Sequence, residues 1–288
     1  MSVSSRLGHA FRDAPTLPLT YRSRYVLMSD CHRGIGTSSD NFLKNQHLFF
    51  AALKYYYKRG YTYIELGDGD ELWENRSMKN IVEVHDEVFE MFAQLHRQNR
   101  LYLIYGNHDM IKKKKKQQQQ FPYTFYEGII LSPPNMPQRA LYLTHGHQAS
   151  LFNSTFWRVA CFCVRYLWSP LENLGVLDPT SAAKNYHVKN KCETRLSDWA
   201  SENRHILITG HTHRPVMPGE PSFYYNTGSC VHPRCITCIE IEQGVMTLVK
   251  WSMSARADST LYVARERISG FVPLLSDRLY GMAQDAGR

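Results

Sequence analysis

Five short segments of the sequence place polar groups with metal-binding chemistry directly after an apolar run. They read SDCHRG, GDGDE, GNHD, HGH and GHTHRP, and a glycine or another small residue flanks each polar group. Their carboxylate, carboxamide and imidazole groups belong to Asp30, His32, Asp68, Asn107, His145, His211 and His213. Each segment alone would fit a turn, a helix cap or a buried histidine. All five together exceed what ordinary packing requires, so we predict that they hold metal ions.

The chemistry of these groups indicates which ions they would bind. Aspartate, histidine and asparagine without a thiolate suit Mn²⁺, Fe²⁺, Zn²⁺ or Co²⁺ better than a soft metal ion. Seven such side chains are more than one ion needs. Two ions roughly 3.5–4 Å apart that share a carboxylate would use all of them, and such pairs clamp the attacking and leaving oxygens in phosphoryl transfer. We therefore expect a dinuclear centre.

The elements that must position these groups are short strands that end where the polar segments begin. The apolar runs are RYVLM, YTYIEL, LYLIY, ALYLT and HILIT, and a sixth run, SFYYN, ends at TGSC. Residues 41–59 and 78–97 carry apolar residues at helical spacing between the strands. In α/β folds ligands bind at the carboxyl ends of the strands, so we expect the six strand ends to converge.

The sequence after GHTHRP has closely spaced strands instead. FYYNTGS, CITCIEI and VMTLVKW have the pattern of strands, and we predict that EQGV is a hairpin turn between the last two. An α/β sandwich of two mixed sheets with helices outside accounts for both halves. We place the sandwich domain at residues 21–250, between an N-terminal arm at residues 1–20 and a C-terminal extension at residues 251–288. Two prolines in the arm favour a loose conformation.

Residues 151–203 interrupt this scheme, because they contain no clear strand. They are rich first in aromatic and then in basic residues. These are Phe152, Phe156, Trp157, Phe162, Tyr166 and Trp168, followed by Lys184, Lys189, Lys191 and Arg195. We interpret the segment as a helical cap inserted over the active edge. A compatible alternative is that the aromatic side chains only pack the insertion against the body.

A second interruption is the run KKKKKQQQQ at residues 112–120, which begins three residues after GNHD. A run of like charges repels itself and usually forms a solvated loop. Its position beside the predicted metal centre would also let it attract an anionic substrate. Both interpretations stay open at this point.

The bulk composition is that of a globular protein, with 288 residues, 43% hydrophobic and 21% charged. The formal charge of +8 favours an anionic partner such as phosphate, nucleic acid or a membrane surface. The basic residues are not interleaved along one aromatic platform, so we do not expect nucleic-acid binding. No apolar run reaches the roughly 18 residues of a membrane span, and the N-terminus lacks the apolar core of a signal peptide. Peripheral membrane contact stays open.

The seven cysteines follow no disulfide framework, so we expect a reducing, cytoplasmic location. Cys235 and Cys238 have the spacing of half a zinc site, but no second such pair completes it. The residues around them alternate as in a strand, and we interpret the two cysteines as packed thiols. The sequence does not indicate an oligomeric state.

The five polar segments resemble, in order, the motif set of the calcineurin-like metallophosphoesterases. That set reads D-x-H, G-D-x-x-[DE], G-N-H-[DE], H-G and G-H-x-H, and DCH, GDGDE, GNHD, HG and GHTH match it here. The resemblance covers about residues 25–250. It implies the metallophosphoesterase β-sandwich and two divalent metal ions. By this resemblance Asp30, His32 and His213 hold the first ion, Asn107, His145 and His211 hold the second, and Asp68 bridges them.

The resemblance also implies a mechanism. Two cations lower the pKa of a shared water, and the resulting hydroxide attacks phosphorus opposite the leaving group. His108 would protonate the departing oxygen or stabilise its charge, and Asp109 would orient the His108 ring. From its place in the sequence we expect Arg33 to bind a phosphate oxygen, and Asn107 to take part in substrate binding. We expect manganese, with iron, zinc or cobalt as alternatives.

The branch of the family would decide the substrate. The insertion and GHTHRP resemble the UDP-2,3-diacylglucosamine pyrophosphatases, but those enzymes have arginine where this chain has His108. Histidine is typical of monoesterases and diesterases, so we predict hydrolysis of a small or nucleotide-like phosphomonoester or phosphodiester. One alternative is a pyrophosphatase for a nucleotide-linked lipid, if Phe156, Trp157 and Phe162 line an apolar channel. Another is a non-catalytic scaffold, which loss of ligand residues would mark.

Overall fold

Two mixed β-sheets form the centre of the fold in a computed structural model of the chain. The described residues are 2–37, 40–114, 122–168, 183, 185–219, 222–269 and 271–275. In chain order their strands are β1 (Thr16–Pro18), β2 (Arg24–Met28), β3 (Thr62–Leu66), β4 (Leu101–Ile104), β5 (Phe125–Tyr126), β6 (Gly128–Ser132), β7 (Leu141–Thr144), β8 (Ile206–Thr209), β9 (Pro215–Val216), β10 (Tyr224–Thr227), β11 (Cys235–Glu242), β12 (Val245–Ala255), β13 (Leu261–Arg267) and β14 (Val272–Pro273).

Helices cover both outer faces of the sheets. They are α1 (Val3–Arg12), α2 (Gln46–Lys58), α3 (Met78–Val84), α4 (Asp86–Arg97), α5 (Leu151–Ser154), α6 (Trp157–Cys163) and α7 (Tyr186–Asn203). Single helical turns lie at Leu43–Asn45, Met110–Lys113, Pro137–Arg139 and His147–Ala149, and a π-helical turn, Val164–Trp168, continues α6.

The strand order brings the predicted strand ends together. One sheet has the order β13-β12-β11-β2-β3-β4-β5, with β14 paired to β12, and the other has the order β1-β6-β7-β8-β10-β9. Strands β2, β3 and β4 are parallel in the first sheet, and β7, β8 and β10 are parallel in the second. Because parallel neighbours end at the same edge, the polar segments after these strands share one edge of the sandwich.

The apolar runs form central strands because both of their faces are buried. In β2, Val26 and Met28 pack with helices α2 and α4, whereas Leu27 packs in the core between the two sheets. Near-continuous apolar runs are typical of such doubly covered strands. On the other face of the sandwich, α1 and α7 cover the six-stranded sheet with Leu7 and Trp199. The sheets therefore have an apolar core between them and an apolar layer on each outer side.

Most of the predicted architecture is confirmed. The six predicted runs form β2, β3, β4, β7, β8 and β10, and the fold class is α/β with two mixed sheets flanked by helices. The EQGV segment is the turn between β11 and β12, where Gln243 and Gly244 have φ angles of 54° and 71°. Positive φ at both central residues is what a tight hairpin turn of this hand requires. The helix predicted over residues 78–97 is two helices, α3 and α4, because His85 leaves helical geometry.

The N-terminal residues are not a loose arm, which corrects that prediction. Ser2 caps helix α1, because its hydroxyl accepts a hydrogen bond from the Ser5 backbone N–H. Strand β1 then pairs in parallel with β6, with Pro18 opposite Ser132. A proline lacks the N–H that an interior strand would donate, but β1 lies at the edge of its sheet, where this loss is tolerated. The prolines therefore mark an edge strand.

Parts of three predicted segments lie outside the described residues. The insertion at residues 151–203 is helical where it is described, and residues 169–182 and 184, with the Trp168 side chain, lie outside. Residues 115–120 of the lysine and glutamine run and residues 276–288 of the C-terminal extension also lie outside. The described part of the extension forms the end of β12 and all of β13 and β14 in the eight-stranded sheet. The domain boundaries stay a prediction.

The cysteine pair lies on β11. Cys235 and Cys238 are both free thiols, and the Cys238 sulfur lies 3.3 Å from the Tyr56 hydroxyl in the core. This position fits packed thiols.

None of the described helices combines the length and the apolar character needed to cross a bilayer.

Candidate metal centre

Five strand ends deliver the predicted ligand residues to one edge of the sandwich. Asp30 and His32 follow β2, Asp68 follows β3, Asn107 follows β4, His145 follows β7, and His211 and His213 follow β8. Six of these side chains form two groups, in each of which one ligand atom per residue lies within 4.8 Å of the others. The first group is Asp30, His32 and His213, and the second is Asp68, His145 and His211. The same distance also joins His32 to Glu71 and His108.

The first group is closely packed, with Asp30 and His32 buried and His213 partly exposed. His213 Nε2 lies 3.1 Å from Asp30 Oδ1 and 3.2 Å from His32 Nε2. The Asp30 carboxylate accepts a hydrogen bond of 2.9 Å from the His211 backbone N–H through Oδ2. Burial would raise the pKa of Asp30, but His213 and His145 lower it to about 2. The carboxylate therefore stays ionised, as a metal ligand must be.

The second group surrounds Asp68. His145 Nε2 lies 3.1 Å from Asp68 Oδ2 and 3.2 Å from Asn107 Oδ1, which adds Asn107 to the group. His145 Nδ1 donates to the Leu66 carbonyl at 2.8 Å, and this bond turns Nε2 towards the group. Burial and the neighbouring His145 lower the pKa of His211 to about 3. The His211 imidazole is therefore neutral and able to bind a cation.

Asp68 lies between the two groups. Its Oδ2 is 3.9 Å from His32 Nε2 of the first group and 3.1 Å from His145 Nε2 of the second. Its Oδ1 accepts a hydrogen bond of 2.8 Å from the His108 backbone N–H. A hydrogen bond thus holds Oδ1, and Oδ2 faces both groups. This is the position that a bridging ligand needs.

The backbone of these residues has an uncommon conformation. Positive φ angles occur at Asp30 (53°), His32 (48°), Asp68 (49°), His211 (68°) and His213 (54°). Residues other than glycine seldom adopt this region, at a cost of about 1–3 kcal/mol each, and such residues concentrate at functional sites. Hydrogen bonds between the loops hold the conformation, since the Asp30 N–H donates to Gly67 O at 3.0 Å and the His32 N–H to Asp68 O at 2.9 Å.

Two buried ligand atoms have no hydrogen-bond partner among the described residues. They are Asp30 Oδ1 and His211 Nε2. Asp30 Oδ1 is close to His213 Nε2 but is not aligned for a hydrogen bond with it. A buried polar atom without a partner costs about 1–3 kcal/mol, and a cation at each group would satisfy these atoms. The residues therefore fit two divalent ions that prefer oxygen and imidazole donors.

His108 stands beside the two groups, and its side chain is 23% exposed. Its Nδ1 lies 2.8 Å from a Glu71 carboxylate oxygen, and its ring stacks on Trp73 with a centroid distance of 4.2 Å. Burial would lower the pKa of His108, but Glu71 and Asp68 raise it above the ordinary value for histidine. The ring is thus held by two neighbours, and Nε2 is the ring nitrogen that Glu71 does not contact.

The partners of Asp109 correct the prediction that it orients His108. The Asp109 carboxylate accepts hydrogen bonds from the Gly106 backbone N–H at 2.6 Å and from the Lys112 ammonium at 2.7 Å. Glu71 orients the ring instead. In the sequence the only signal for this role was that Glu71 matches the last acid of the GDGDE motif.

The surroundings of Arg33 correct the prediction that it binds phosphate. Arg33 is 1% exposed. Its Nη1 and Nη2 atoms each donate to Glu65 at 2.8 Å, and its Nε donates to Asp70 at 2.7 Å. A guanidinium buried against two carboxylates is already neutralised, so it holds the loops together and is not available to bind a phosphate.

The first lysine of the run at residues 112–120 is also buried. Lys112 Nζ lies 2.5 Å from Asp70 and 2.7 Å from Asp109. The next two lysines, Lys113 and Lys114, are exposed. The prediction of a solvated run is therefore wrong for Lys112, which instead forms a buried ion pair. No pattern in the sequence separates this lysine from its neighbours.

The insertion reaches the loop after β3, next to His108. Arg165 donates to the carbonyl oxygens of Trp73 at 2.6 Å and Leu72 at 2.9 Å. Phe156 and Phe162 are 51% and 58% exposed, so they do not pack into the core. The described part of the insertion thus supports the Trp73 side of the site.

Similarity to known proteins is clearest at the level of the family. Residues 24–243 match the model of the calcineurin-like phosphoesterase superfamily domain. Among solved structures, the crystal structure of Chaetomium thermophilum Vps29 is similar, with 12% sequence identity, coverage of 85% of this chain and 95% of that chain, and a TM-score of 0.42. No curated protein matches the sequence. Because the matched segment spans more than half of its length, the chain belongs to the calcineurin-like phosphoesterase superfamily.

Proposed function

We propose that this protein is a dinuclear metal-dependent phosphoesterase that hydrolyses a phosphomonoester or a phosphodiester. The observation that carries the proposal is the pair of ligand groups around Asp68, next to the partly exposed His108. Two cations and a proton donor at one place supply what ester hydrolysis at phosphorus needs. A non-catalytic scaffold is less well supported, since all seven predicted ligand residues are present.

The ligand residues divide between two ions. Asp30, His32 and His213 would hold one ion, Asn107, His145 and His211 the other, and Asp68 both. When bound, the ions would neutralise phosphate charge and lower the pKa of a water that attacks phosphorus. Oxygen and imidazole donors suit manganese, with iron, zinc or cobalt as alternatives. The Asn107 amide would also contact the substrate phosphate.

His108 would supply the proton that the departing oxygen needs. Its Nδ1–H donates to Glu71 at 2.8 Å, which leaves Nε2 to hold the transferable proton. The stacked Trp73 ring restricts rotation of the imidazole, so Nε2 keeps one direction. General acid catalysis of this kind contributes about 10²–10⁴-fold to the rate.

The substrate would be a small or nucleotide-like phosphate ester, and the protein would act in the cytoplasm. The formal charge of +8 fits an anionic substrate. A nucleotide-linked lipid is less well supported, because it needs an apolar channel lined by Phe156, Trp157 and Phe162. In the described part of the insertion Phe156 and Phe162 are exposed, and Trp157 packs against the core between α2, α4 and the sheet.

A substrate panel tests the proposal. Metal-stripped protein receives Mn²⁺ and is then assayed on three substrates. They are an aryl phosphomonoester, an aryl phosphodiester, and a nucleoside diphosphate whose terminal phosphate carries an organic substituent. We expect ester hydrolysis that depends on Mn²⁺ and is abolished in Asp68→Ala, because this change removes the shared ligand. Asp258→Ala, at an exposed position before β13, is the matched control and should keep full activity.

Three outcomes would count against the proposal. Equal ester hydrolysis by Asp68→Ala and the wild-type protein would remove the role of the shared ligand. Inactivity of Mn²⁺-loaded wild-type protein on both esters would reject the reaction class, and activity confined to the pyrophosphate would favour the pyrophosphatase alternative.

A further inference from the structure

The chain makes a tight turn immediately after His145. Gly146 has a φ of 107°, and a side chain there would meet Thr209 Cβ at 3.2 Å and Leu196 Cδ1 at 3.4 Å. The residues His147–Ala149 then form a single helical turn. The position of the His145 ring thus depends on a tight turn, which we call the His145 turn (residues 145–149).

The last carbonyls of a helical turn have no partner within it. In the His145 turn, two arginines from different helices supply the partners. Arg6 of α1 donates from Nε to the Gln148 carbonyl at 2.7 Å, and Arg195 of α7 donates from Nη1 to the Ala149 carbonyl at 2.9 Å. Arg6 is only 8% exposed. Charged donors make stronger hydrogen bonds than neutral ones, so these contacts hold the turn firmly.

Apolar packing joins the same three elements. Leu7 of α1 and Leu196 of α7 are fully buried and pack in one cluster with Ala149. Burial lowers the pKa of Arg6, and repulsion by the Arg195 guanidinium lowers it further. The turn carbonyls offset this repulsion. Helices α1 and α7 are therefore fixed on the His145 turn by polar and apolar contacts together.

We propose that Arg6 and Arg195 are positioning residues for the second metal ion. They act through the backbone of the His145 turn, which fixes the place from which His145 reaches the second group. The inference rests on the proposed function, because it takes His145 as a metal ligand. Helix α1 precedes residue 24, where the match to the family domain begins, so a segment outside that domain supports one of its ligands.

Calorimetric titration with Mn²⁺, one site at a time, tests this inference. A His213→Ala background leaves the second group intact, and a His211→Ala background leaves the first group intact. We expect Arg6→Ala to weaken Mn²⁺ binding on the order of tenfold in the His213→Ala background, which is typical for loss of a residue that supports a ligand. In the His211→Ala background it should change nothing. Arg195→Ala should behave in the same way.

Arg12→Ala is the matched control, because Arg12 lies on the same helix but is exposed. It should leave both affinities unchanged. Thermal unfolding without metal shows whether each variant is folded, and if Arg6→Ala is not, Arg6→Lys makes the same comparison, since lysine lacks the Nε donor. Unchanged affinity at the second site, or equal loss at both sites, would overturn the inference. A wild-type protein that binds no Mn²⁺ would instead contradict the proposed function.

Discussion

Glu71 contacts two imidazoles that have different tasks. Its carboxylate oxygens lie 2.8 Å from Nδ1 of His32 and 2.8 Å from Nδ1 of His108. In both rings the contact at Nδ1 leaves Nε2 facing the site, as is usual for oriented histidines. Burial would raise the pKa of Glu71, but His108 and His32 lower it to about 2, so the carboxylate is ionised. One acid therefore orients a candidate metal ligand and the candidate proton donor.

Replacement of His108 should affect substrates unequally. His108→Gln removes the proton from Nε2, and a departing alkoxide needs that proton more than a departing nitrophenolate does. We expect kcat to fall by about 10²–10⁴-fold for an alkyl phosphate and by much less for a nitrophenyl phosphate. Steady-state kinetics on the two substrates measures the difference. His47→Gln is the control, because His47 is exposed on α2 and should be inert. Equal losses on both substrates would contradict the proton-donor role.

Asp40 is a buried carboxylate that joins the loop after β2 to the start of α4. It accepts hydrogen bonds from His85 Nε2 at 3.0 Å and from the backbone N–H groups of Gly36 at 3.0 Å and Phe42 at 3.1 Å. Burial would raise the pKa of Asp40, but the bonds from His85 and Gly36 lower it below the ordinary value of 3.8. Because the pKa of Asp40 is lower in the folded protein than in the unfolded chain, the ionised carboxylate stabilises the fold at pH values above the unfolded-state pKa. This contribution is lost as the pH falls through the folded-state pKa.

Asp40→Asn should therefore have a pH-dependent effect. At neutral pH we expect the free energy of unfolding to fall by about 2 kcal/mol, because an amide is a weaker acceptor than a carboxylate. The deficit should shrink in acid, where the wild-type carboxyl group is also protonated. Urea unfolding at a series of pH values measures it, and the exposed Asp198→Asn is the control. A deficit that stays constant down to acid pH would contradict the role of the charge.

Buried ion pairs join three ligand-bearing loops. The loop after β2 contributes Arg33, the loop after β3 contributes Asp70, and the loop after β4 contributes Asp109 and Lys112. Asp70 lies 2.7 Å from Arg33 Nε and 2.5 Å from Lys112 Nζ, and Lys112 is also 2.7 Å from Asp109. All four side chains are buried. Because removal of one partner leaves an uncompensated buried charge, the network ties the loops to one another.

Lys112→Met should destabilise the protein by about 3–5 kcal/mol, because Asp70 and Asp109 lose a shared cation in the interior. Urea unfolding measures the change, and Lys114→Met, two residues on and exposed, is the matched control with an effect near zero. The double variant Asp70→Asn/Lys112→Met should lose less than the sum of the single variants, since the two residues form one pair. Strict additivity of the two changes would contradict the network.

The length and the burial of an element decided whether the sequence could predict it. The central runs were predictable because both faces of strands such as β2 are buried, so the whole run is apolar. Strands β5, β9 and β14 contain two residues each, which is too short for an alternating pattern. Strand β1 contains Pro18, and proline normally argues against a strand away from a sheet edge.

The candidate ligands were predictable, but their partners were not. The ligand residues follow their strands directly, so the strand pattern itself brings them to one edge. The burial of Arg33 depends on Glu65, which lies on the neighbouring strand β3 and is invisible as a partner in the sequence. Lys112 sits in a run of identical residues, and Arg6 contacts a turn 142 positions away. Such contacts are fixed only when the elements pack.

Each ligand group takes side chains from both sheets. In the first group Asp30 follows β2 of the eight-stranded sheet, and His213 follows β8 of the six-stranded sheet. In the second, Asp68 follows β3 and His145 follows β7, again one from each sheet. Elsewhere an apolar core joins the sheets. Bound ions would therefore join them at the carboxyl edge, where polar loops replace that core.

Metal loading should accordingly stabilise the whole fold. Free Mn²⁺ at 100 times its Kd should stabilise the folded state by about 2.7 kcal/mol per site, because the unfolded chain cannot assemble ligands from two sheets. That gain corresponds to a rise in Tm on the order of 5–10 °C, which differential scanning calorimetry measures before and after a chelator is added. Asp68→Ala should lose most of the rise, since it removes the shared ligand, whereas Asp258→Ala should keep it. If Mn²⁺ raised the Tm of Asp68→Ala as much as that of the wild type, the ion would be binding elsewhere, and the sheets would be joined by their apolar core alone.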